Sequence, residues 1–445
     1  MAVAEHVKTP AIASATGRSD WPYIPDLLTQ PVPRYTSYPP ATAFHPAIAA
    51  PEYQQALNDI APATEVSIYI HIPFCQQICW YCGCNTGAAG RKERLDAYIS
   101  ALESELSAVA AILGGRVRVR HIAFGGGSPN AIEPVQFVRL ADRITTLFDA
   151  TDPAISVEID PRSFTMEWAL ALAACKVSRV SLGVQTLSPH VQSAIGRVQP
   201  AELIESCVAA LRLRGIGDIN FDLMYGLPHQ QLADLEDTID QAAAMLPSRI
   251  ALFGYAHLPQ MIPRQRRIDG NLLPDLNDRF LQAQLGYNKL INMGYVPVGF
   301  DHFALPEDSL AIAAEKGNVR RNFQGFTEDA CQILLGFGAS AISQFPDLIV
   351  QNEKNVGRYR ELINGGQLPI AQGVSLSDAD KKTAQKIEHL LCNLNTDLNG
   401  LQLSSEQNAR LAEFCRLGLI KQNEASLHIT ESGRHYSRYI AQALT

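Results

Sequence analysis

From residue 66 onward the chain alternates between short runs of β-forming residues and longer stretches whose apolar positions repeat with helical period. The β-type runs cover 66–73, 119–124, 155–159, 177–184, 216–224, 250–255 and, less regularly, 295–300. Helical periodicity covers 91–113, 135–149, 166–174, 200–213, 231–246 and 276–293. Alternation at this spacing predicts βαβ units and a parallel sheet. Successive units with no second sheet pattern predict an α/β fold, a partial TIM-like (β/α) barrel, with an open doubly wound sheet as the alternative.

The carboxyl ends of parallel barrel strands face one mouth, and the expected strand ends here are unusually polar or glycine-rich. A cysteine loop follows the first, Gly125-Gly126-Gly127-Ser128-Pro129 the second, Glu158-Ile159-Asp160-Pro161 the third and Gly183-Val184-Gln185 the fourth. Asp222 and Tyr225-Gly226-Leu227-Pro228 close the fifth, and Tyr255-Ala256-His257 the sixth. The expected layout is a loose tail (1–30), an N-terminal covering segment (31–65), the barrel (66–373) and a small, mostly helical domain (374–445). In the last, 418–429 reads as a hairpin before a final helix, a winged-helix-like pattern.

Composition narrows the function classes. With 445 residues, 47% apolar, the chain has material for a large core, and its net charge of −8 argues against nucleic acid or an anionic membrane as main partner. Basic and acidic residues balance after Ser375, so the winged-helix-like end shows no DNA-binding face. The tail lacks the basic and apolar regions of a signal peptide, and no apolar stretch has the length of a membrane span. Nine cysteines, several scattered in apolar contexts, are not a secreted disulfide framework; the expectation is a cytoplasmic protein. No heptad run demands a partner, so a monomer is expected.

Four cysteines crowd into one loop: Cys75, Cys79, Cys82 and Cys84. Thiolates this dense suit an iron–sulfur cluster. Structural zinc sites use well-separated ligand pairs, which this loop lacks. A cluster closed by all four thiols and an open one on Cys75, Cys79 and Cys82 both remain readings; the C-x3-C-x2-C spacing of those three leaves one iron free in the second. Gly125-Gly126-Gly127 is either a turn or a place where backbone approaches a ligand closely.

In this context C-x3-C-x2-C resembles the hallmark of the radical S-adenosylmethionine (SAM) enzymes. The resemblance narrows with Pro33-Arg34-Tyr35-Thr36-Ser37-Tyr38-Pro39, Tyr69-Ile70-His71-Ile72-Pro73-Phe74, the added Cys84, Asp222-Leu223-Met224-Tyr225-Gly226-Leu227-Pro228, Asp301-His302-Phe303 and Arg321-Asn322-Phe323-Gln324-Gly325. Together these are similar to the oxygen-independent coproporphyrinogen III oxidase family. The resemblance implies a radical SAM oxidoreductase of heme biosynthesis that turns two propionates of coproporphyrinogen III into vinyl groups, giving protoporphyrinogen IX. It implies a [4Fe-4S] cluster on Cys75, Cys79 and Cys82, two SAM molecules, and an electron donor such as flavodoxin or ferredoxin. By position, the first SAM meets Tyr69, Gly126, Glu158 and Ile342. The second meets Tyr81, Gly127, Ser128, Gln185, Arg197, Asp222 and Ala256. Tyr69 and Cys84 are the catalytic candidates, Cys84 not being a cluster ligand. Arg34, Arg266, Arg267, Arg320 and Arg321 are candidate anchors for substrate carboxylates, because guanidinium pairs with carboxylate through two hydrogen bonds.

The match has departures. Ile333 stands where the family carries Asp, which is expected to alter the first SAM's surroundings or the substrate end of the pocket. Ser128 and Asn130 stand where Thr is usual. The alternatives are a heme chaperone of the same superfamily, which lacks a counterpart of Cys84 and the Arg34 motif, and a radical SAM methylase or cyclopropane-forming enzyme.

Overall fold

The computed structural model describes residues 20–445. Its main sheet has twelve strands, labelled here β1 (Thr64–Ile72), β2 (Val117–Gly126), β3 (Ala154–Ile159), β4 (Arg179–Gln185), β5 (Asp218–Tyr225), β6 (Arg249–Gly254), β7 (Val296–Val298), β8 (His302–Ala304), β9 (Ile333–Phe337), β10 (Ile342–Gln344), β11 (Leu348–Asn352) and β12 (Ile370–Ser375). Their spatial order is β12-β11-β10-β9-β1-β2-β3-β4-β5-β6-β8-β7. β1 to β6 are parallel neighbours in chain order. A long helix follows each of these strands: α1 (Lys92–Leu113), α2 (Pro134–Leu147), α3 (Met166–Ala174), α4 (Ala201–Leu213), α5 (Leu232–Ala244) and α6 (Leu276–Asn292). The expected strands are present with ends displaced by a residue or two, and the sheet is open, a partial barrel. β9 returns to pair in parallel beside β1, while β10–β12 and β7–β8 add antiparallel edges.

Period-two patterning explains the barrel's two faces. On β3–β6 one face carries Ile155, Val157, Val180, Leu182, Ile219, Phe221 and Ile250, all buried. The other face carries Glu158, Ser181, Asn220 and Asp222; Glu158 pairs with Ser181, and Ser181 with Asn220. The barrel interior is therefore polar, and the apolar face packs under the helices. α1 shows the complementary pattern, burying Leu95, Tyr98, Ile99, Leu102, Leu106, Val109 and Leu113 at helical spacing before Gly114 ends it in the left-handed conformation (φ 56°).

The far end of this polar interior is sealed by the stretch before β9. Glu328 accepts from Arg179 at 3.1 Å and Arg249 at 3.2 Å, at the first residues of β4 and β6. Against the effect of burial, Arg179 and Arg249 hold the Glu328 carboxyl at about 2. Asp329 accepts from Ser67 on β1 and faces His121 on β2 at 3.5 Å.

The first described residues are tied to the C-terminal segment. Of the expected loose tail, residues 1–19 lie outside the described residues; from Asp20 the chain is packed rather than loose. Trp21 is buried against the rings of Tyr287 and His435, and Tyr436 donates its hydroxyl to the Pro22 carbonyl at 2.5 Å. Apolar burial of an indole outweighs the freedom that composition suggested. The expected hairpin is present as Ile420–Gln422 and Ser426–Ile429, and a third strand, Asn395–Asp397, completes that sheet. No described helix is long and apolar enough to cross a membrane.

Candidate active site

The cysteine loop leaves β1 at the barrel mouth and closes on itself. Phe74–Cys75 pairs with Gly87–Ala88, and Ala89 N–H donates to the Cys75 carbonyl at 2.9 Å. The tip is pinned from outside: Trp80 N–H donates to the Ile195 carbonyl at 3.0 Å. All four cysteines are free thiols, and all line one cavity of about 550 Å³. Among the described residues no three Cys, His, Asp or Glu side chains converge as the shell of a single ion does. A zinc ion needs its thiolates about 2.3 Å from one point; a cluster spreads them over different irons.

The thiols sit in a positively charged pocket. Asp160, buried at the end of β3, accepts both Nε and Nη2 of Arg162 (3.0 and 2.6 Å) and Nη2 of Arg197 (3.2 Å). Both guanidiniums then donate to Cys79 Sγ, Arg162 at 3.1 Å and Arg197 at 3.3 Å. Arg197 and Arg162 hold the Asp160 carboxyl below its usual range, against burial. At Cys82 a hydrogen bond from Cys84, aided by Arg264 and Arg197, lowers the thiol to about 6, favouring thiolate. Burial raises the Cys75 thiol to about 11, opposed by its contact with Thr86 at 3.4 Å.

The glycine run lies against this loop. A Cβ on Gly127 would stand 2.3 Å from Thr86 Oγ1 and 2.6 Å from the Phe74 carbonyl oxygen. Gly126 has φ 115°, and a Cβ there would meet the His71 ring at 2.7 Å. Only glycine allows both approaches. The departures Ser128 and Asn130 face inward: both are buried and accept the Asp160 N–H, at 3.2 and 3.0 Å, clipping the end of β2 to the end of β3. Glu158 opens onto the cavity and accepts the Gly126 N–H at 3.2 Å. Surrounding protein and the charge of Asp222 raise its carboxyl to about 7. Asp222 accepts from Asn220 at 2.9 Å and Ser181 at 3.2 Å, and burial raises it as well.

The cavity gathers most of the expected site: Arg34, the four cysteines, Tyr81, Gly126, Gly127, Ser128, Glu158, Gln185, Arg197, Asp222 and Ala256. Tyr69 and Ile342 do not line it. The Tyr69 hydroxyl is held by His71 Nδ1 at 3.0 Å, and burial, then Glu158 and Cys84, raise it well above its ordinary value. Ile342 lies on β10 behind Gly336.

The structure places the candidate arginines in different surroundings. Arg266 and Arg267 are exposed and outside the cavity, because the 3-10 turn Pro263–Arg267 aims Arg264 inward instead. Arg264 Nη2 donates to the Thr86 carbonyl at 2.8 Å, while its Nη1 is buried without a partner among the described residues. Arg320 pairs with Glu388 at 2.9 Å, away from the cavity. Arg321 lines an adjoining chamber together with Arg34.

Ile333 also departs from expectation. It is buried on β9 opposite Val66, near the start of β1 and at the opposite end of the barrel from the cysteine loop. It touches neither cavity, so an aliphatic residue there leaves the site's lining unchanged.

Sequence reasoning missed Arg162 and Arg264. The only signal for Arg162 was its place in the polar turn after β3.

Comparison with known proteins agrees with this geometry. The radical SAM superfamily profile matches residues 69–242. An oxygen-independent coproporphyrinogen III oxidase of Bradyrhizobium diazoefficiens is 41% identical over 93% of this chain and 94% of its own length. One from Helicobacter pylori is 32% identical over 93% of each chain. The solved structure of coproporphyrinogen III oxidase from Escherichia coli, described as a radical SAM enzyme, superposes with a TM-score of 0.88 at 32% identity, covering 96% of this chain and 99% of that one. The chain therefore belongs to the oxygen-independent coproporphyrinogen III oxidase family of radical SAM enzymes.

Proposed function

We propose that the protein converts coproporphyrinogen III to protoporphyrinogen IX, oxidatively decarboxylating two propionates to vinyl groups without oxygen. The observation that carries this reading is the single mouth cavity that joins the cysteine loop, the glycine turn and the polar strand ends. The donor set suits a [4Fe-4S] cluster and SAM: thiols on a loop met by the Arg162 and Arg197 guanidiniums, beside a cavity open to a ligand. Bound beside those thiols, these groups would supply the radical hydrogen-atom abstraction that oxidative decarboxylation of a propionate needs.

In this reading Cys75, Cys79 and Cys82 hold the cluster, and Cys84 takes part in turnover. Gly126 and Glu158 hold one SAM from the cavity lining, with Tyr69 and Ile342, the other residues expected at that site, standing behind the lining. Tyr81, Gly127, Ser128, Gln185, Arg197, Asp222 and Ala256 hold a second. Arg197 Nε is buried with no partner among the described residues, leaving a donor for a carboxylate. Glu158, raised to about 7, holds its proton through part of the neutral range and donates or accepts toward a hydroxyl. Phe253, Tyr255, Leu258 and Ile262 give the cavity an apolar wall that excludes water. Arg34 lines both the cavity and the adjoining chamber, which suits residues 34–38 to covering the mouth and anchoring a carboxylate. The chain acts as a cytoplasmic monomer supplied by a flavodoxin- or ferredoxin-type donor.

The test is anaerobic reconstitution with iron, sulfide, SAM, reductant and coproporphyrinogen III. The reading expects 5′-deoxyadenosine together with vinyl product. Deoxyadenosine without vinyl product points to another substrate.

A further inference from the structure

A second chamber of about 320 Å³ adjoins the mouth cavity and shares Arg34, Phe253, Tyr255 and Ala256 with it. Its charge is one-sided. Arg34, Arg279, Arg321 and Arg438 line it, and Asp301 is the one carboxylate among its described lining residues.

None of the four arginines is in an ion pair among the described residues. Arg321 Nε and Nη2 donate only to the carbonyls of Tyr35 and Arg34, at 3.1 and 3.4 Å, and its Nη1 is buried with no partner among the described residues. Arg279 Nη2 donates to the Tyr255 carbonyl at 2.6 Å. Arg438 stacks over the Phe300 ring at 5.7 Å, and Arg321 lies over the same ring at 5.0 Å. Asp301 is engaged by His302 at 2.7 Å, and its single charge is shared with Arg321 and Arg438, leaving the chamber net positive. Guanidiniums gathered in a half-buried space repel one another, and a partnerless buried donor is costly. Such an arrangement is built for anions that arrive from outside. The walls supply the other half of the recognition, since Tyr225, Tyr287 and Phe303 also face this space. Aromatic faces with an arginine rim suit a large ring bearing several carboxylates.

We propose that Arg279 and Arg438, together with Arg321, anchor the propionates of the tetrapyrrole that are not reacting, so that the C-terminal segment forms part of the substrate site. The inference rests on the function proposed above. It accounts for the docking of the C-terminal segment, since the helix Ser437–Gln442 delivers Arg438 and the packing of Trp21 on His435 fixes that segment to the N-terminal one.

Steady-state kinetics of the reconstituted full chain test this with Arg279→Ala, Arg438→Ala and Arg438→Lys. Loss of one charge-assisted contact raises KM for coproporphyrinogen III by about tenfold or more, with kcat falling less than KM rises. Arg438→Lys recovers part of the loss by restoring charge without the fork. Should an alanine variant fold poorly, Arg438→Gln keeps the side chain's bulk and still shows the raised KM. A wild-type protein that turns over coproporphyrinogen III, with KM unchanged in Arg279→Ala and in every Arg438 variant, overturns this inference alone. A well-reconstituted wild type that never turns over the porphyrinogen overturns the proposed function and the inference together.

Discussion

Replacing Arg162 with Met removes the guanidinium that links Asp160 to the cysteine loop. The side chain is 5% exposed and its partner Asp160 7%. The substitution deletes three side-chain bonds to the Asp160 carboxylate, two to Gln77 and one to Cys79 Sγ. Leaving a buried carboxylate without its partner typically costs 3–5 kcal/mol. Arg197 remains 3.2 Å away, so the low end applies, about 3 kcal/mol, equivalent to a factor of about 100 in the folding equilibrium. Urea titration of the metal-free chain under reducing conditions measures it as a lowered midpoint. Asp160→Asn/Arg162→Met is expected to lose less than the two single losses added together, because the stranded charge goes with its partner. The pH dependence has a definite sign. Asp160 is depressed in the folded chain, so the ion pair's stabilisation is present above the unfolded carboxyl value of about 4. It fades as pH falls through the lower folded value, and the gap between wild type and Arg162→Met closes there. A variant within about 0.5 kcal/mol of wild type at neutral pH, the size of an ordinary surface change, would show that the clamp holds nothing in place.

Gly127→Ala forces a Cβ to within 2.6 Å of the Phe74 carbonyl oxygen, which cannot rotate away, so the cysteine loop must shift; iron and sulfide per chain after reconstitution should drop several-fold, and full loading refutes the reading. Serine at Cys75, Cys79 or Cys82 should abolish cluster assembly, whereas Cys84→Ser should keep the iron and lose turnover; loss of iron in Cys84→Ser breaks the three-plus-one division. Glu105, buried on α1, accepts from Gly338, Asn352 and Tyr359, and burial lifts its carboxyl to about 7. Stability should therefore decline as pH rises from about 4.5 to about 7, where the unfolded chain has already released the proton. Glu105→Gln should flatten that slope in pH-resolved urea titrations; an unchanged slope would assign the dependence to other groups.

The strands β1–β6 were legible because each alternates strongly enough for period two to show, and each is followed by a helix with its own period. The edges were not. β8, β9 and β10 are three to five residues long, too short for any period to register, and pairing across the sheet makes them strands. The arginines show the same limit at the site. Arg264, Arg266 and Arg267 look alike in the chain, and one turn decides which faces the cavity. Arg162 gained its role only when Asp160 and Cys79, from separate loops, were brought within bonding distance of it.

By itself the sequence determined the cysteine spacing, the barrel's alternation and the family, since these are local patterns written into neighbouring residues. The tertiary structure decided where charge accumulates. Arg34, Arg279, Arg321 and Arg438 come from four distant segments, and their shared chamber forms where the segment from Trp21 packs with the one around His435. It also decided that Ile333 stays out of the site's lining, by setting it near the opposite end of β1 from the cysteine loop. The physical reason is that side-chain charges interact through space, over a few ångströms, whatever the length of chain between them.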